Sequence, residues 1–402
     1  MRPRGLRTLA VLLAGLAETA LAGTPYTIAA HWVRDTGRLQ PQVGDFAFYD
    51  LNFSPNGNGW LGGDRFLLNI TSAGLHVTFV NDSKRAIYSA ASLETGEAWA
   101  GGCQFVEVRI PQRVTSEGLL WHYRSGEWQP VDLSYLGLHN WCIHAVRFAG
   151  MRDGWALATR FPEEWPFKSE SEDGGFFLHF DGAQWSVDRS EGLATVQRRL
   201  SSLCLGPSGQ WWAAGRMRIN QQRWQGFLLL HRGDAWQDVP SDISTSSISG
   251  IACVPDGSIV VSALDDARPA RPLVLRFQMD RWEKLDLPEQ LRGYWVGPVA
   301  APAAGDLWVA ASAPNEPTLL LRSTGGSWQV MPGPVLPGGR RGGYSVTAIQ
   351  FVSPTEGWAI AQDSGGPDLV RGLVFHYKDG VWENWNWNWH FWDARWFGLL
   401  GH

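Results

Sequence analysis

A tryptophan followed by small and apolar residues recurs along this 402-residue chain at intervals of about fifty positions. It appears in GWLGG (59–63), EAWAGG (97–102), DGWALA (153–158), QWWAAG (210–215), DLWVAA (306–311) and EGWAIA (356–361). In SIVVSA (258–263) a valine takes the tryptophan's place. Anchoring on Trp60, Trp99, Trp155, Trp212, Val260, Trp308 and Trp358 gives spacings of 39, 56, 57, 48, 48 and 50 residues. The upstream residues keep the same register. Twelve positions before the anchors stand Phe48, Ile87, Ile143, Leu200, Ile248, Val296 and Val346, all large and apolar. Nine before stand Leu51, Ala90, Val146, Leu203, Ile251, Val299 and Ile349, again apolar, and seven before come residues such as Phe53, Phe148, Leu205 and Phe351. Ten before lie mostly small residues, among them Asp50, Ser89, Ser202 and Gly250. Alternation of this kind has the two-residue period of a β-strand.

Downstream of each anchor comes an apolar run, then Gly or Asp, then a second tryptophan. Examples are LLWHYRSGEWQPV (119–131), FFLHFDGAQWSV (176–187) and LVFHYKDGVWENW (373–385), each a strand pair with turn residues between. The first unit, FLLNITSAGLHVTFV (66–80), has Leu75 where the others have tryptophan. Four short strands in each of seven units predict an all-β fold, a seven-bladed β-propeller with four antiparallel strands per blade, spanning 45–389. A linear solenoid would show shorter and more uniform repeats.

The ends of the chain read differently. Arg2, Arg4 and Arg7 precede the apolar run LAVLLAGLA (9–17) and the small residues Ala20 and Ala22. That order predicts a secretory signal peptide over 1–22, cleaved after Ala22, with 23–44 leading into the ring. Removing it moves the formal charge from −5 to −7, with 31 basic against 38 acidic residues. An acidic chain without Lys/Arg runs argues against nucleic acid as a partner, and no later stretch reaches the length of a membrane span. The expectation is an exported monomer, periplasmic, cell-surface or extracellular. At the other end, VWENWNWNWHFWDARWF (381–397) splits in two: Trp382 is the seventh unit's second tryptophan. The remaining indoles, with the tail 390–402, are expected to cover the ring closure between the last and first blades, near the strand-like YTIAAHWV (26–33).

The motif G-W-A-x-[AG] followed by h-x-[HY]-x-D-G-x-W resembles a bacterial family of exported seven-bladed propellers. These are related to photosystem II assembly and stability factors and allied to sialidase-type Asp-box (BNR-like) repeats. The resemblance covers nearly all of 45–389 and implies a chaperone-like or ligand-binding role without catalysis. An Asp box would place Asp five residues before the second tryptophan, where this chain has Tyr123, Phe180 and Tyr377. The sialidase pattern is therefore departed from.

No nucleophile elbow, zinc-protease helix or P-loop motif occurs, so no catalytic, metal or cofactor residues are assigned. His122, His179, His231 and His376 occupy equivalent places in four blades, with Arg276 and Arg322 in two others. A ring spreads equivalent positions apart, so these histidines are not expected to share an ion. Insertions at 103–117, 159–175, 216–226 and 264–271 all follow an anchor strand and should emerge on one face. Binding residues concentrate on such loops. Arg109, Arg147, Trp165, Arg218 and Trp224 are the expected recognition group, with Trp141, Trp295 and Tyr344 on the same face. A Cys103–Cys142 disulfide is expected between the second and third blades, while Cys204 and Cys253 are expected to be free and buried. The function expected is non-catalytic binding of a protein or saccharide; the alternative is a sialidase-like hydrolase or lyase.

Overall fold

Each repeat folds as one antiparallel sheet whose four strands are consecutive in sequence, and seven such sheets form the ring. A computed structural model describes residues 47–385, apart from 64–65, 72–73, 80–84, 110–111, 161–173, 190–197, 221–222, 242, 268–270, 314–315, 317, 335–342 and 364–370. The expected leader, residues 23–46 and the chain beyond Trp385 lie outside the described residues. The innermost strands are Phe48–Phe53, Arg85–Ser92, Trp141–Gly150, Arg198–Leu205, Ser247–Cys253, Trp295–Ala303 and Tyr344–Ser353. They carry the upstream repeat positions, and each second strand carries the anchor. The turn between these two strands uses Gly57, Gly96, Gly209 and Gly257 in four blades, each with φ between +83° and +85°. That left-handed region costs glycine nothing.

The repeat residues make sense as junction chemistry. A second strand is buried on both faces, against the blade before and the blade after, so it carries no charge at its centre. Two positions after the anchor stand Gly62 and Gly101 in the first two blades. A Cβ on Gly62 would come within 3.0 Å of Ile87 Cγ2, and one on Gly101 would overlap Ile143 and Val146. The large residue that opens the next blade's inner strand therefore seats over a glycine.

The two tryptophans of the repeat meet each other across junctions. Trp60 packs edge-to-face with Trp128 at 4.9 Å, Trp99 with Trp185 at 5.7 Å, Trp155 with Trp236 at 5.2 Å and Trp308 with Trp382 at 5.8 Å. Such pairs add about 0.5–1.5 kcal/mol beyond their buried area. At the seam, blade one offers no second tryptophan. Trp385, just past the last strand of blade seven, packs edge-to-face on Trp358 at 4.4 Å instead. The same apolar cluster holds Phe48, Leu51 and Phe53 of blade one with Trp358 and Ile360 of blade seven.

Hydroxyls add a second clasp. Ser201 Oγ donates to the Ile248 carbonyl (3.0 Å), Ser249 Oγ to that of Val296 (2.9 Å), and Thr347 Oγ1 to that of Phe48 (3.2 Å). The third of these closes the ring, helped by Phe53 N–H donating to Gln350 Oε1 at 2.9 Å.

All four cysteines are paired. Cys103 and Cys142 bridge blades two and three with Cα atoms 4.9 Å apart. Cys204 and Cys253, expected free, instead bridge blades four and five with Cα atoms 5.9 Å apart. Inner strands of neighbouring blades converge towards the axis, which brings these two positions within disulfide reach.

Candidate ligand-binding face and channel

The pairing register fixes which loops share a face. Phe48, at the start of its inner strand, lies opposite Gly63, where the second strand ends. The connection into each blade and the loop after each second strand therefore sit at the same end of the channel. The insertion at 103–117 is a hairpin. Its strands, Ala98–Arg109 and Gln112–Arg124, stay paired out to Arg109 opposite Gln112, beyond the last pair with the inner strand at Arg85–Gln104. Arg109 thus stands at the tip of an arm on this face. Trp165 lies outside the described residues.

Arg218 and Trp224 are directly opposite each other across the second and third strands of blade four. Two arginines not singled out from sequence complete the group. The guanidinium carbons of Arg216, Arg199 and Arg218 lie 4.6, 5.4 and 5.9 Å from the Trp224 ring centre. Arg199 and Arg216 are themselves cross-strand neighbours, an arrangement of like charges that disfavours pairing. The indole's negative π-face offsets part of that repulsion, by about 0.5–1 kcal/mol per cation. Both the indole and the three side chains are partly exposed. Alternation along the strand, Arg216 and Arg218 two apart, was the sequence signal that could have found Arg216; Arg199 lies on the neighbouring strand.

Of the three aromatics expected on this face, Trp295 is 56% exposed. Trp141 and Tyr344 are buried instead. Trp141 covers Gly118, where a Cβ would overlap its ring, and the Tyr344 hydroxyl donates to the Pro334 carbonyl at 3.1 Å. Both serve as packing.

Beneath the face runs a channel of about 400 Å³. In every inner strand the residue eleven before the anchor is skipped in the pairing, forming a β-bulge. Bulges re-aim side chains. Around the ring these residues are Tyr49, Tyr88, His144, Ser201, Ser249, Gly297 and Thr347. Aromatic rings thus line one side and small residues the other. Tyr49 meets Tyr88 edge-on at 5.1 Å, and Tyr88 stacks on His144 at 5.4 Å. Burial pushes the His144 pKa down to about 4, so the ring is neutral at neutral pH.

Arg147 also lines the channel, and its guanidinium is tied into the wall. Nη1 lies 2.8 Å from Asp50 Oδ2 and Nη2 2.9 Å from Oδ1. Nη1 also donates to the Val146 carbonyl at 2.8 Å. Ser89 of the intervening blade donates to Asp50 Oδ2 at 2.6 Å and accepts from Val146 N–H at 2.9 Å. One polar network therefore spans three blades. Burial alone would lower the Arg147 pKa, but the Asp50 carboxylate holds it above its ordinary value.

On the opposite face three of the repeat histidines sit in equivalent units of their own. His122 pairs with Glu97 at 2.9 Å, His179 with Asp153 at 3.0 Å and His376 with Glu356 at 3.0 Å. Each also stacks on its anchor tryptophan, at 4.0, 4.4 and 4.0 Å. Arg322 repeats the arrangement with Asp306 and Trp308. The carboxylate stands two residues before the anchor each time, so the motif is a blade-by-blade cap on the tryptophan. Among the described residues no cluster of His, Cys, Asp and Glu could hold a metal ion. Nor is any described helix long and apolar enough to cross a membrane.

No family model and no curated protein matches the sequence. Solved structures do match the fold. YCF48 from Cyanidioschyzon merolae is 15% identical with a TM-score of 0.52, over 85% of this chain and 96% of that one. The propeller domain of the Trilobed protease from Pyrococcus furiosus, described as having an open velcro topology, is 10% identical with a TM-score of 0.53, over 84% and 97%. A puromycin-hydrolyzing peptidase from Mycobacterium tuberculosis is 12% identical with a TM-score of 0.52, over 85% of this chain and 53% of that one. At these identities the likeness is one of fold. The class defined by fold and repeat is the seven-bladed β-propeller, a scaffold found both in peptidases and in proteins of other kinds.

Proposed function

We propose that this chain is an exported, non-catalytic β-propeller that binds a protein or saccharide partner on its loop-rich face. The observation that carries the reading is the partly exposed Trp224 with three guanidinium groups within 5.9 Å of its ring centre. Aromatic residues and arginine are the side chains enriched where partners bind. Arg109 on the projecting hairpin and Trp295 belong to the same face. Export is supported by the basic and apolar leader with its A-x-A site and by the pairing of all four cysteines, which suits an oxidising compartment. The repeat's resemblance to exported assembly-factor propellers points the same way. A second reading, a propeller working beside or within a hydrolase, draws on the peptidase of which the chain matches about half. The test is capture of an envelope extract, with a glycan array beside it, by the wild-type protein and by Arg216→Ala/Trp224→Ala. Loss of the captured partner in the double variant is expected. Equal capture by both proteins would remove the loop-rich face from consideration, and hydrolysis of a peptidase or glycosidase substrate panel would favour the second reading.

A further inference from the structure

We propose that the upper end of the central channel is a separate binding site for an uncharged sugar ring. Three features of the wall combine to select that chemistry. First, the bulge residues divide the channel into unlike halves. Tyr49, Tyr88 and His144 form a continuous aromatic arc on blades one to three, each ring partly open to the channel. Across from them stand Ser201, Ser249 and Thr347. The hydroxyls of these three are held by carbonyls of the next blade, and so serve the junctions. A flat, partly apolar ring fits against the arc in the space the small residues leave. The void of about 400 Å³ lies within the ordinary range for small-molecule sites.

Second, the formal charge of the lining cancels. Asp50 and Arg147 neutralise each other through two parallel hydrogen bonds, and His144 is neutral. A charged ligand would lose hydration here without meeting a counter-charge, so an uncharged one is preferred. Third, the level below the arc supplies hydrogen-bond donors. Asn52 Oδ1 accepts from Ser92 N–H at 2.8 Å and Gln350 Oε1 from Phe53 N–H at 2.9 Å. With both amide oxygens held, the NH₂ groups of these channel-lining residues are the parts offered to a ligand. Hydroxyls around a ring with an apolar face match such a set: the face stacks and the edge accepts.

The site does not depend on the Trp224 face, and the two fail separately. The experiment is saturation-transfer difference NMR of the full chain with the methyl glycosides of glucose, galactose, mannose and N-acetylglucosamine. At least one should give signal with the wild type. Tyr88→Ala should weaken it about tenfold, the scale of one lost aromatic contact. Tyr88→Phe, which keeps the ring, should bind within about threefold of wild type. A thermal melt of each variant shows whether it is folded, and the Tyr88→Phe rescue separates lost stacking from a damaged wall. The proposal is overturned if no glycoside gives signal or if Tyr88→Ala binds unchanged.

Discussion

Replacing Asp50 by alanine leaves the Arg147 guanidinium in the channel wall without its carboxylate. What stays within reach are the Ser89 hydroxyl at 3.2 Å and the carbonyls of Ala90 and Val146 at 3.3 and 2.8 Å. These accept hydrogen bonds but carry no charge. Removing one partner of a buried pair costs about 3–5 kcal/mol. The Arg147 side chain is 24% exposed and Asp50 12%, so water in the channel screens part of that loss, leaving about 2–4 kcal/mol. At roughly 2 °C per kcal/mol for a domain of this size, the melting temperature should fall by about 4–8 °C. Arg147→Met should cost less, about 1–2 kcal/mol, because Asp50 keeps Ser89 Oγ and the Leu51 N–H as donors. The double variant Asp50→Ala/Arg147→Met carries no stranded charge, so its cost should fall short of the sum by about 1–2 kcal/mol. Urea denaturation of the four proteins closes the cycle. A cost for Asp50→Ala below about 0.5 kcal/mol, or strict additivity in the double variant, would refute the argument that the pair ties three blades together.

The pH dependence follows from His144. Its folded-state pKa of about 4 lies below the unfolded value of about 6.5, so the unfolded chain takes up the proton first as pH falls. Stability from this residue is present above pH 6.5 and is lost progressively as pH falls through 4. The loss is about 1–2 kcal/mol once the channel-facing exposure is allowed for. His144→Gln should flatten the stability profile between pH 7 and 4, and an unchanged slope would contradict the assignment. Trp385→Ala removes the indole that meets Trp358 at the seam, and should lower stability by about 1–3 kcal/mol in the same urea assay; a neutral effect would deny it that role. The two disulfides should differ in reactivity, because Cys204 and Cys253 line the channel whereas Cys103 and Cys142 are 0% and 1% exposed. Under native conditions with dithiothreitol, alkylation should mark Cys204 and Cys253 first, and simultaneous labelling of both pairs would refute the difference in access.

The blades were legible from sequence because every junction buries the same surfaces and so demands the same residues in the same places. Even Val260, where tryptophan is missing, could be placed from Ile248 and Ile251 upstream. What escaped the sequence links different blades at positions with no shared pattern. Asp50 sits among small residues in its register, and its partner Arg147 is 97 positions away. Cys204 and Cys253 occupy places one apart in the repeat, which hid their approach at the axis. The aromatic arc lies on a bulge, where strict alternation fails and strand periodicity gives no facing. Arg199, beside Trp224, needed the lateral pairing of strands, which the length of an insertion alone does not supply.

Each described blade is built from one uninterrupted stretch of chain, and no strand is shared between the first and last of them. Among the described residues ring closure therefore involves no exchange of strands, only the meeting of two surfaces like those at the other junctions. Such a molecule is a bracelet of like links with its fastening at an arbitrary place. Trp385, following directly on blade seven, would travel with that blade if the gene were cut elsewhere and its ends joined. A circular permutant opened between blades three and four should recover the same ring, because the fastening moves while the links do not.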